Sequence, residues 1–357
     1  MSDHKRVLIT GGAGFVGSNL AIALQVQHPE WSVVAADNLY RRGSELNLPR
    51  LRAAGVEFQH ADVRIAEDVF ALGPIDAIVE AAAEPSVMAG LGGGAGIVVQ
   101  SNLVGANHCF ELAARHRAQV VFLSTSRVYP VGPLEALNYQ QGETRFEISV
   151  DQEVVGVSPE GISEQFPLAG ARTLYGATKL SAELLLGEYA NDHGLPATIN
   201  RCGVIAGPWQ MGKVDQGVAS HWMFSFLAGS PLSYIGFGGE GKQVRDMLHI
   251  DDLIDLIDRQ LCDPDHWTGC NFNVGGGRDV SVSLLELSGI CEELTGKRIE
   301  IGGQPENRPG DIPIYLSDCR EIFKHSDWRP TRDAVAIMSD IRDWAVANSE
   351  LLDSALN

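Results

Sequence analysis

Short apolar runs alternate with longer segments of mixed polarity through the first third of the chain. Each run ends close to glycine, an acidic residue or a hydroxyl residue, a pattern that predicts buried strands. The predicted strands span residues 6–10, 31–36, 56–62, 75–83 and 120–126. Strands that alternate with helices at this spacing predict an α/β fold, a doubly wound parallel sheet with helices on both faces.

The first predicted strand runs into three glycines spaced G-x-x-G-x-x-G, and a helical run follows from Ser18. Strand, glycine turn and helix is the order in which a dinucleotide-binding turn occurs. Gly11 would allow the tight turn, Gly14 would let backbone amides approach a pyrophosphate, and Gly17 would let the helix pack on the strand. The alternative is a glycine-rich turn that binds no ligand.

Acidic residues end the second and third predicted strands. The carboxylate of Asp37 would accept hydrogen bonds from ribose hydroxyls and repel a 2′-phosphate, which favours NAD over NADP. Arg41 and Arg42 follow closely and keep NADP open as an alternative, because arginine side chains bind phosphate. We expect Asp62 to contact the adenine.

Hydroxyl residues end the fifth predicted strand, and a tyrosine opens a helix predicted for residues 175–189. Tyr175 and Lys179 are four residues apart and therefore share one face of that helix. A nearby ammonium group lowers the pKa of a tyrosine, so Tyr175 could exchange a proton between an alcohol and a ketone. Thr125 at the strand end could hydrogen-bond the same oxygen. The alternative is an ordinary surface helix.

The composition is that of a globular protein, with a formal net charge of −19 over 357 residues. Because the chain has no run of Lys or Arg, we expect neither nucleic acid nor a membrane surface as a partner. Its six cysteines form no CxxC pair and have no zinc-type spacing to histidine, so we expect neither a metal site nor a disulfide framework. The start of the chain does not have the pattern of a signal peptide, and the expected location is cytoplasmic.

The glycine turn, Asp37, residues 124–129 (STSRVY) and the Tyr175-x-x-x-Lys179 pair together resemble the extended short-chain dehydrogenase/reductase family. The similarity is to the nucleotide-sugar epimerases and dehydratases of that family. It runs from about residue 5 to about residue 345.

This resemblance implies a Rossmann-type NAD-binding domain over residues 1–204, with returning segments near 245–275, and a smaller interleaved lobe over 205–357 that holds a nucleotide-sugar. With the residues argued above, the cofactor contacts are then Gly11, Gly14, Phe15, Val16, Asp37, Asn38, Asp62, Val63, Ala81, Asn102, Tyr175 and Lys179. The implied substrate contacts are Ser126, Gln216, Arg245 and Arg308. The two arginines match the positions that bind the diphosphate in the family, a task that suits the guanidinium fork. Their alternative role is a surface salt bridge with Asp246 or Asp311.

The sequence departs from the family pattern at several positions. Glu80 stands where the family usually has histidine. Residues 202–204 (CGV) replace the Phe-Asn of many 4-epimerases, which argues against a standard UDP-galactose 4-epimerase. Ser126 and Arg127 replace the Asp-Glu pair that dehydratases carry after the catalytic threonine, which argues against a dehydratase.

Residues 37–48, 215–217 and 241–246 are similar to the CDP-tyvelose (CDP-paratose) 2-epimerases. This branch implies epimerisation at C2 of a nucleotide-diphosphate sugar, with CDP favoured, through a transient keto intermediate and bound NAD. The alternatives are a nucleotide-sugar 4-epimerase, a related reductase or synthase, and a non-catalytic protein that binds NAD or a sugar-nucleotide. The family also implies a homodimer or a dimer-based tetramer.

Overall fold

The computed structural model of the chain describes residues 4–90, 93–212 and 217–356, with side chains up to residue 352. The strands are β1 (Arg6–Thr10), β2 (Ser32–Asp37), β3 (Glu57–His60), β4 (Ala77–Glu80), β5 (Gln119–Thr125), β6 (Tyr139–Gln141), β7 (Phe146–Ile148), β8 (Val157–Ser158), β9 (Gly161–Ile162), β10 (Ala197–Cys202), β11 (Val204–Ala206), β12 (Leu232–Ile235), β13 (Val244–His249), β14 (Cys270–Val274), β15 (Ser281–Ser283), β16 (Ile301–Gln304) and β17 (Ile314–Tyr315).

The helices are α1 (Phe15–Gln27), α2 (Leu48–Ala53), α3 (Ala66–Ala71), α4 (Ala95–Val99), α5 (Gly105–His116), α6 (Val131–Glu135), α7 (Leu174–His193), α8 (Val218–Ala228), α9 (Ile250–Cys262), α10 (Pro264–Trp267), α11 (Leu284–Thr295), α12 (Arg320–His325), α13 (Ala334–Ala347) and α14 (Ser349–Leu356). Among the described residues, none of these helices combines the length and the apolar character that a membrane crossing requires.

A parallel sheet forms the centre of the first compact unit, which comprises Met1–Thr125, Leu174–Arg201 and Ile254–Asn271. In the part of the chain that the structure describes, this sheet has seven strands in the order β14-β10-β5-β4-β1-β2-β3. β1 pairs in parallel with β2 on one side and with β4 on the other. β3 and β5 extend the sheet outward, also in parallel. The predicted doubly wound α/β fold is confirmed.

Helices α5 and α7 cover one face of this sheet. Phe110 of α5 and Leu186 of α7 belong to the same buried cluster as Leu8 of β1 and Phe122 of β5. A strand that is buried on both faces has no polar side to present, which explains why β1 reads as a continuous apolar run. The apolar residues from which the strands were predicted therefore form this core.

The carboxyl ends of four strands carry residues that the sequence predicted for the site. Gly11 follows β1, Asp37 ends β2, Ala81 follows β4 and Thr125 ends β5. Because parallel strands all end at the same edge of a sheet, these four residues lie along one edge. This is the edge where doubly wound sheets bind ligands.

Several predicted boundaries differ from the structure, among them those of α1 and β4. Helix α1 begins at Phe15, three residues before the predicted start at Ser18, and its N-cap is Gly14 in an extended conformation. Glycine is unfavourable inside a helix, and Gly17 lies in the first turn of α1. The sequence pattern therefore did not indicate that the helix begins before Ser18. The strand predicted over residues 75–83 is confined to β4, which ends at Glu80.

The second compact unit comprises Ser126–Thr173, Cys202–Leu253 and Phe272–Asn357. In its described residues, β13 pairs with β11, β15 and β17. Helices α8, α11 and α13 surround a buried cluster that includes Met223, Leu287 and Ile337.

Residues 126–173 group with the second unit, whereas the predicted first domain runs without a break over residues 1–204. The segments predicted to return near residues 245–275 correspond to Ile254–Asn271 of the first unit. The grouping of residues 126–173 with the second unit includes a backbone hydrogen bond of 3.0 Å from the amide of Phe146 to the carbonyl of Lys242.

Candidate active site

The glycine turn after β1 is a place where backbone segments approach each other too closely for side chains. Gly11 has a φ of +63°, and a Cβ there would lie 2.9 Å from the carbonyl oxygen of Ala81. A Cβ at Gly17 would overlap the carbonyl of Gly11. Gly12, which sequence reasoning did not single out, lies equally close to β2, because its Cβ would be 2.7 Å from Ala35.

Helix α1 starts directly at this turn. Gly14 is its N-cap and makes no side-chain hydrogen bond to the first turn, so the cap leaves the amides of that turn uncovered. Phe15 and Val16, both predicted cofactor contacts, are the first two helical residues. A glycine turn whose free side is the amino end of a helix fits the pyrophosphate of a dinucleotide.

Asp37 is held against the same turn by two backbone amides. Its Oδ2 accepts a hydrogen bond from the amide of Ala13 at 3.1 Å, and its Oδ1 accepts one from the amide of Leu39 at 2.8 Å. Burial raises the pKa of Asp37, and the two amides oppose that shift. A carboxylate has about four acceptor positions, so Asp37 keeps capacity for ribose hydroxyls. Its neighbour Asn38 caps the turn by accepting from the amide of Tyr40 at 3.0 Å.

The carboxylate of Asp62, after β3, is engaged by an arginine. Arg64 Nε lies 2.9 Å from Oδ1 and 3.0 Å from Oδ2 of Asp62. Mainly through this hydrogen bonding, the pKa of Asp62 falls to about 2. Val63 packs against Gly105, where a Cβ would lie 2.7 Å from its side chain. The adenine contact at Asp62 and the cofactor contact at Val63 remain predictions, and Arg64 competes for the carboxylate of Asp62.

Asn102 lies fully buried in the π-helical turn Gln100–Val104 between α4 and α5. Its Oδ1 accepts from the amide of Glu84 at 2.7 Å, and its Nδ2 donates to the carbonyl of Glu84 at 3.1 Å. The same Nδ2 reaches Thr178 of α7 at 3.4 Å. Asn102 therefore ties the loop after β4 to α7, a structural role that the sequence did not indicate.

Lys179 is buried under α7 in an ion pair with a carboxylate of β4. Its Nζ donates to Oε2 of Glu80 at 3.3 Å, and both side chains are almost completely excluded from solvent. The Nζ also lies 4.1 Å from the ring centroid of Phe122 on β5. Burial raises the pKa of Glu80, and the charge of Lys179 opposes that shift.

A second buried ion pair fixes α7 one turn further along. Arg201 of β10 donates to Glu183 from Nε at 3.1 Å and from Nη2 at 2.7 Å. Ser124 of β5 donates its hydroxyl to the same carboxylate. Tyr175, Lys179 and Glu183 follow one another at intervals of four, so they line the same face of α7. That spacing was the one available sequence signal for Glu183.

The three predicted catalytic residues all belong to the first unit. Thr125 is buried at the end of β5, and Tyr175 is half-buried in the first turn of α7. The buried pairs below them fix the helix on the sheet, so the phenol and the ammonium keep the spacing of one helical turn. This arrangement can exchange a proton with a hydroxyl or carbonyl oxygen.

The predicted substrate residues that the structure describes belong to the second unit. Ser126 opens a short 3₁₀ turn directly after β5. Arg245 of β13 pairs with Asp311, with Nη2 2.7 Å from Oδ1, so the salt-bridge role considered from the sequence is present. Burial lowers the pKa of Arg245, and Asp311 opposes the shift. Gln216 lies outside the described residues.

Arg308 lies three residues from the carboxylate that pairs with Arg245. Burial lowers the pKa of His221 on α8, and the charge of Arg308 lowers it further, which indicates that the two side chains are close. Arg127 donates from Nη1 to the carbonyl of Gly310 at 3.2 Å. Arg127 and Arg245 therefore contact residues 310–312, and Arg308 lies two positions before them. This is a local concentration of positive charge in a chain of net charge −19.

One further cluster lies elsewhere in the first unit. The ligand atoms of His28, Asp258 and Cys262 are within 4.8 Å of one another, a grouping that sequence spacing did not suggest. His28 Nε2 lies 2.6 Å from Asp258 Oδ1, and this contact accounts for the cluster without an ion.

Comparison with known proteins identifies the family. The sequence profile of the "NAD dependent epimerase/dehydratase family" matches residues 7–275, more than half of the chain. The chain belongs to this family. As a member of the NAD dependent epimerase/dehydratase family it is an enzyme, and the predicted cofactor, NAD, is confirmed. The glycine turn, which has no room for a Cβ at Gly11 or Gly17, and the carboxylate of Asp37 fit this cofactor.

Relatives within the family include epimerases and dehydratases. CDP-paratose 2-epimerase of Salmonella typhi is 30% identical over 351 residues, which cover 95% of this chain and 98% of that protein. dTDP-glucose 4,6-dehydratase of Mycolicibacterium smegmatis is 27% identical over 346 residues, 96% of this chain and 94% of that protein. Among solved structures, the UDP-glucose 4-epimerase of Thermus thermophilus in complex with NAD has a TM-score of 0.75 and 25% identity, covering 95% of this chain and 98% of that one.

Proposed function

We propose that the enzyme epimerises a nucleoside-diphosphate sugar at C2 through a transient keto intermediate. The observation that carries the proposal is that Tyr175 and the buried Lys179 lie one turn apart on α7, and that α7 contacts Ser124 and Phe122 of β5, the strand that ends at Thr125. Removal and return of a hydride at one carbon is the chemistry that bound NAD supplies.

The protein side of the reaction is acid–base chemistry. Tyr175 takes the proton of the sugar hydroxyl as the C–H bond breaks and the C=O bond forms, and it gives the proton back when the bond is reduced. Thr125 donates a hydrogen bond to the same oxygen. Lys179 stabilises the phenolate form of Tyr175 by its charge. Inversion follows when the keto-sugar turns over before the hydride returns.

Arg308, with Arg245, is proposed to bind the diphosphate. A strongly acidic protein repels a nucleoside diphosphate except where positive charge is concentrated. Such a concentration lies around residues 308–312. Arg245 already pairs with Asp311 over 2.7 Å, so a diphosphate would compete with that carboxylate for its guanidinium.

Support for C2 comes from the CDP-paratose 2-epimerase that is 30% identical over nearly the whole of both chains. The second candidate is C4, supported by the similarity to a UDP-glucose 4-epimerase structure. We further propose that the nucleotide is CDP.

The decisive experiment incubates the enzyme with CDP-, UDP-, GDP- and dTDP-sugars and analyses the products by NMR and mass spectrometry. We expect a product of unchanged mass inverted at C2, formed from a CDP-sugar without accumulation of free NADH. Inversion at C4 would favour the second candidate. Loss of water, or consumption of external NADH, would refute epimerisation.

A further inference from the structure

Glu80 is the ion-pair partner of the proposed catalytic lysine, and the family pattern has histidine at its position. The carboxylate ends β4, shows no solvent exposure, and lies 3.3 Å from Nζ of Lys179. A carboxylate in such surroundings is strongly disfavoured unless a charge or several hydrogen bonds compensate it. The compensation here comes from Lys179, with a smaller contribution from the amide of Ala82.

Three described elements contribute side chains near this pair. From α5, the thiol of Cys109 faces the pair; burial raises the pKa of that thiol well above its usual range, and the charge of Glu80 adds to the shift. From β5, the ring of Phe122 lies against the ammonium. On α7, Glu183 is already paired with Arg201 at 2.7 Å. Among these groups, Lys179 and Glu80 form the charged pair whose lysine lies one helical turn from Tyr175.

An unpaired ammonium would favour the phenolate of Tyr175 with its full charge, whereas an ammonium paired with a carboxylate acts as a dipole. We propose that Glu80 is a positioning residue that holds the Lys179 ammonium and offsets part of its charge toward Tyr175. This inference rests on the proposed role of Tyr175 and Lys179. It implies that Tyr175 gives up its proton at a higher pH here than it would above an uncompensated lysine.

The test compares wild type with Glu80→Gln, which removes the charge and keeps the shape. Tyrosinate absorbance near 295 nm is titrated for each NAD-loaded protein and for its Tyr175→Phe counterpart, and the difference isolates Tyr175 from the other six tyrosines. With an effective dielectric of about 20, we expect the Tyr175 midpoint to fall by about one pH unit in Glu80→Gln. The acid limb of the pH–rate profile should shift with it.

Glu111→Gln is the matched control, because it removes the same charge from an exposed position of α5, where Glu111 pairs with Arg115. The Tyr175 midpoint should stay at the wild-type value in this variant. Glu80→Asp should restore most of the wild-type midpoint. If Glu80→Gln does not fold, Glu80→His provides a second side chain that is neutral at alkaline pH, with the same expected shift.

An unchanged midpoint in the Glu80 variant would overturn the inference. So would an upward shift, which would mean that Glu80 serves only to keep Lys179 protonated. Because the titration needs no substrate, it remains informative if no sugar-nucleotide is turned over. In that outcome the proposed function fails while the electrostatic role of Glu80 is still decided.

Discussion

The buried ion pair between Glu183 and Arg201 should stabilise the packing of α7 on the sheet. Both side chains are about 95% buried, and Arg201 makes hydrogen bonds of 3.1 Å and 2.7 Å to the carboxylate. Glu183→Gln would leave the guanidinium buried without a counter-charge. Loss of one partner of a buried pair costs about 3–5 kcal/mol. We therefore expect the free energy of unfolding to fall by about this amount, and turnover to fall because α7 carries Tyr175.

Urea unfolding followed by circular dichroism would measure the effect, with the midpoint and the slope fitted separately. Glu111→Gln is the matched control, since Glu111 pairs with Arg115 on the exposed face of α5 and its loss should cost under about 1 kcal/mol. The double variant Glu183→Gln with Arg201→Met should recover part of the loss, because it leaves no unpaired charge at that position. The reasoning is refuted if Glu183→Gln unfolds like wild type, or if the double variant is less stable than the worse single variant.

Three further predictions concern the reaction itself. The purified protein should carry NAD(H), detectable by mass spectrometry after acid release, and recovery of NADP(H) alone would shift the cofactor role from Asp37 to Arg41 and Arg42. Tyr175→Phe should retain bound NAD but lose on the order of a hundredfold or more in kcat, because the proton exchanger is gone; near-normal turnover would contradict its assignment. Arg308→Ala should raise the substrate KM roughly ten- to a hundredfold with unchanged bound NAD, and Arg308→Lys should recover part of it. The same change at the exposed Arg298, which pairs with Glu292, is the control for Arg308→Ala, and equal binding of CDP and UDP by Arg308→Ala and wild type in calorimetry would exclude the diphosphate role.

The sequence predicted well those strands and helices whose own apolar pattern determines them. The strand at Arg6–Thr10 has the predicted bounds, and the helix predicted for residues 175–189 is the core of α7. Both have strong periodic signals and clear ends. The fold class followed because the order of strands and helices restricts a parallel sheet to few arrangements.

Pairing between distant residues could not be predicted in the same way. Glu80 and Lys179 are 99 positions apart, and only the order of the strands in the sheet brings β4 beneath α7. From the sequence, Arg245 could bind phosphate or form a salt bridge. Its pairing with Asp311 depends on how the chain folds after β16, which the sequence pattern did not show. The grouping of residues 126–173 with the second unit depends likewise on a distant contact, since Phe146 hydrogen-bonds Lys242, almost a hundred positions later.

The four-residue spacing of Tyr175, Lys179 and Glu183 along α7 also restricts which insertions and deletions this helix can accept. One residue inserted between Tyr175 and Glu183 would rotate the two ends of the helix by about 100° relative to each other. An insertion between Lys179 and Glu183 would break at least one buried pair with the sheet, and an insertion between Tyr175 and Lys179 would turn Tyr175 away from the face that bears Lys179. The preceding segment, residues 126–173, leaves the first unit at Thr125 and returns at Leu174. We therefore expect homologous chains to accumulate insertions and deletions in that segment and to keep the nine residues from Tyr175 to Glu183 at constant length.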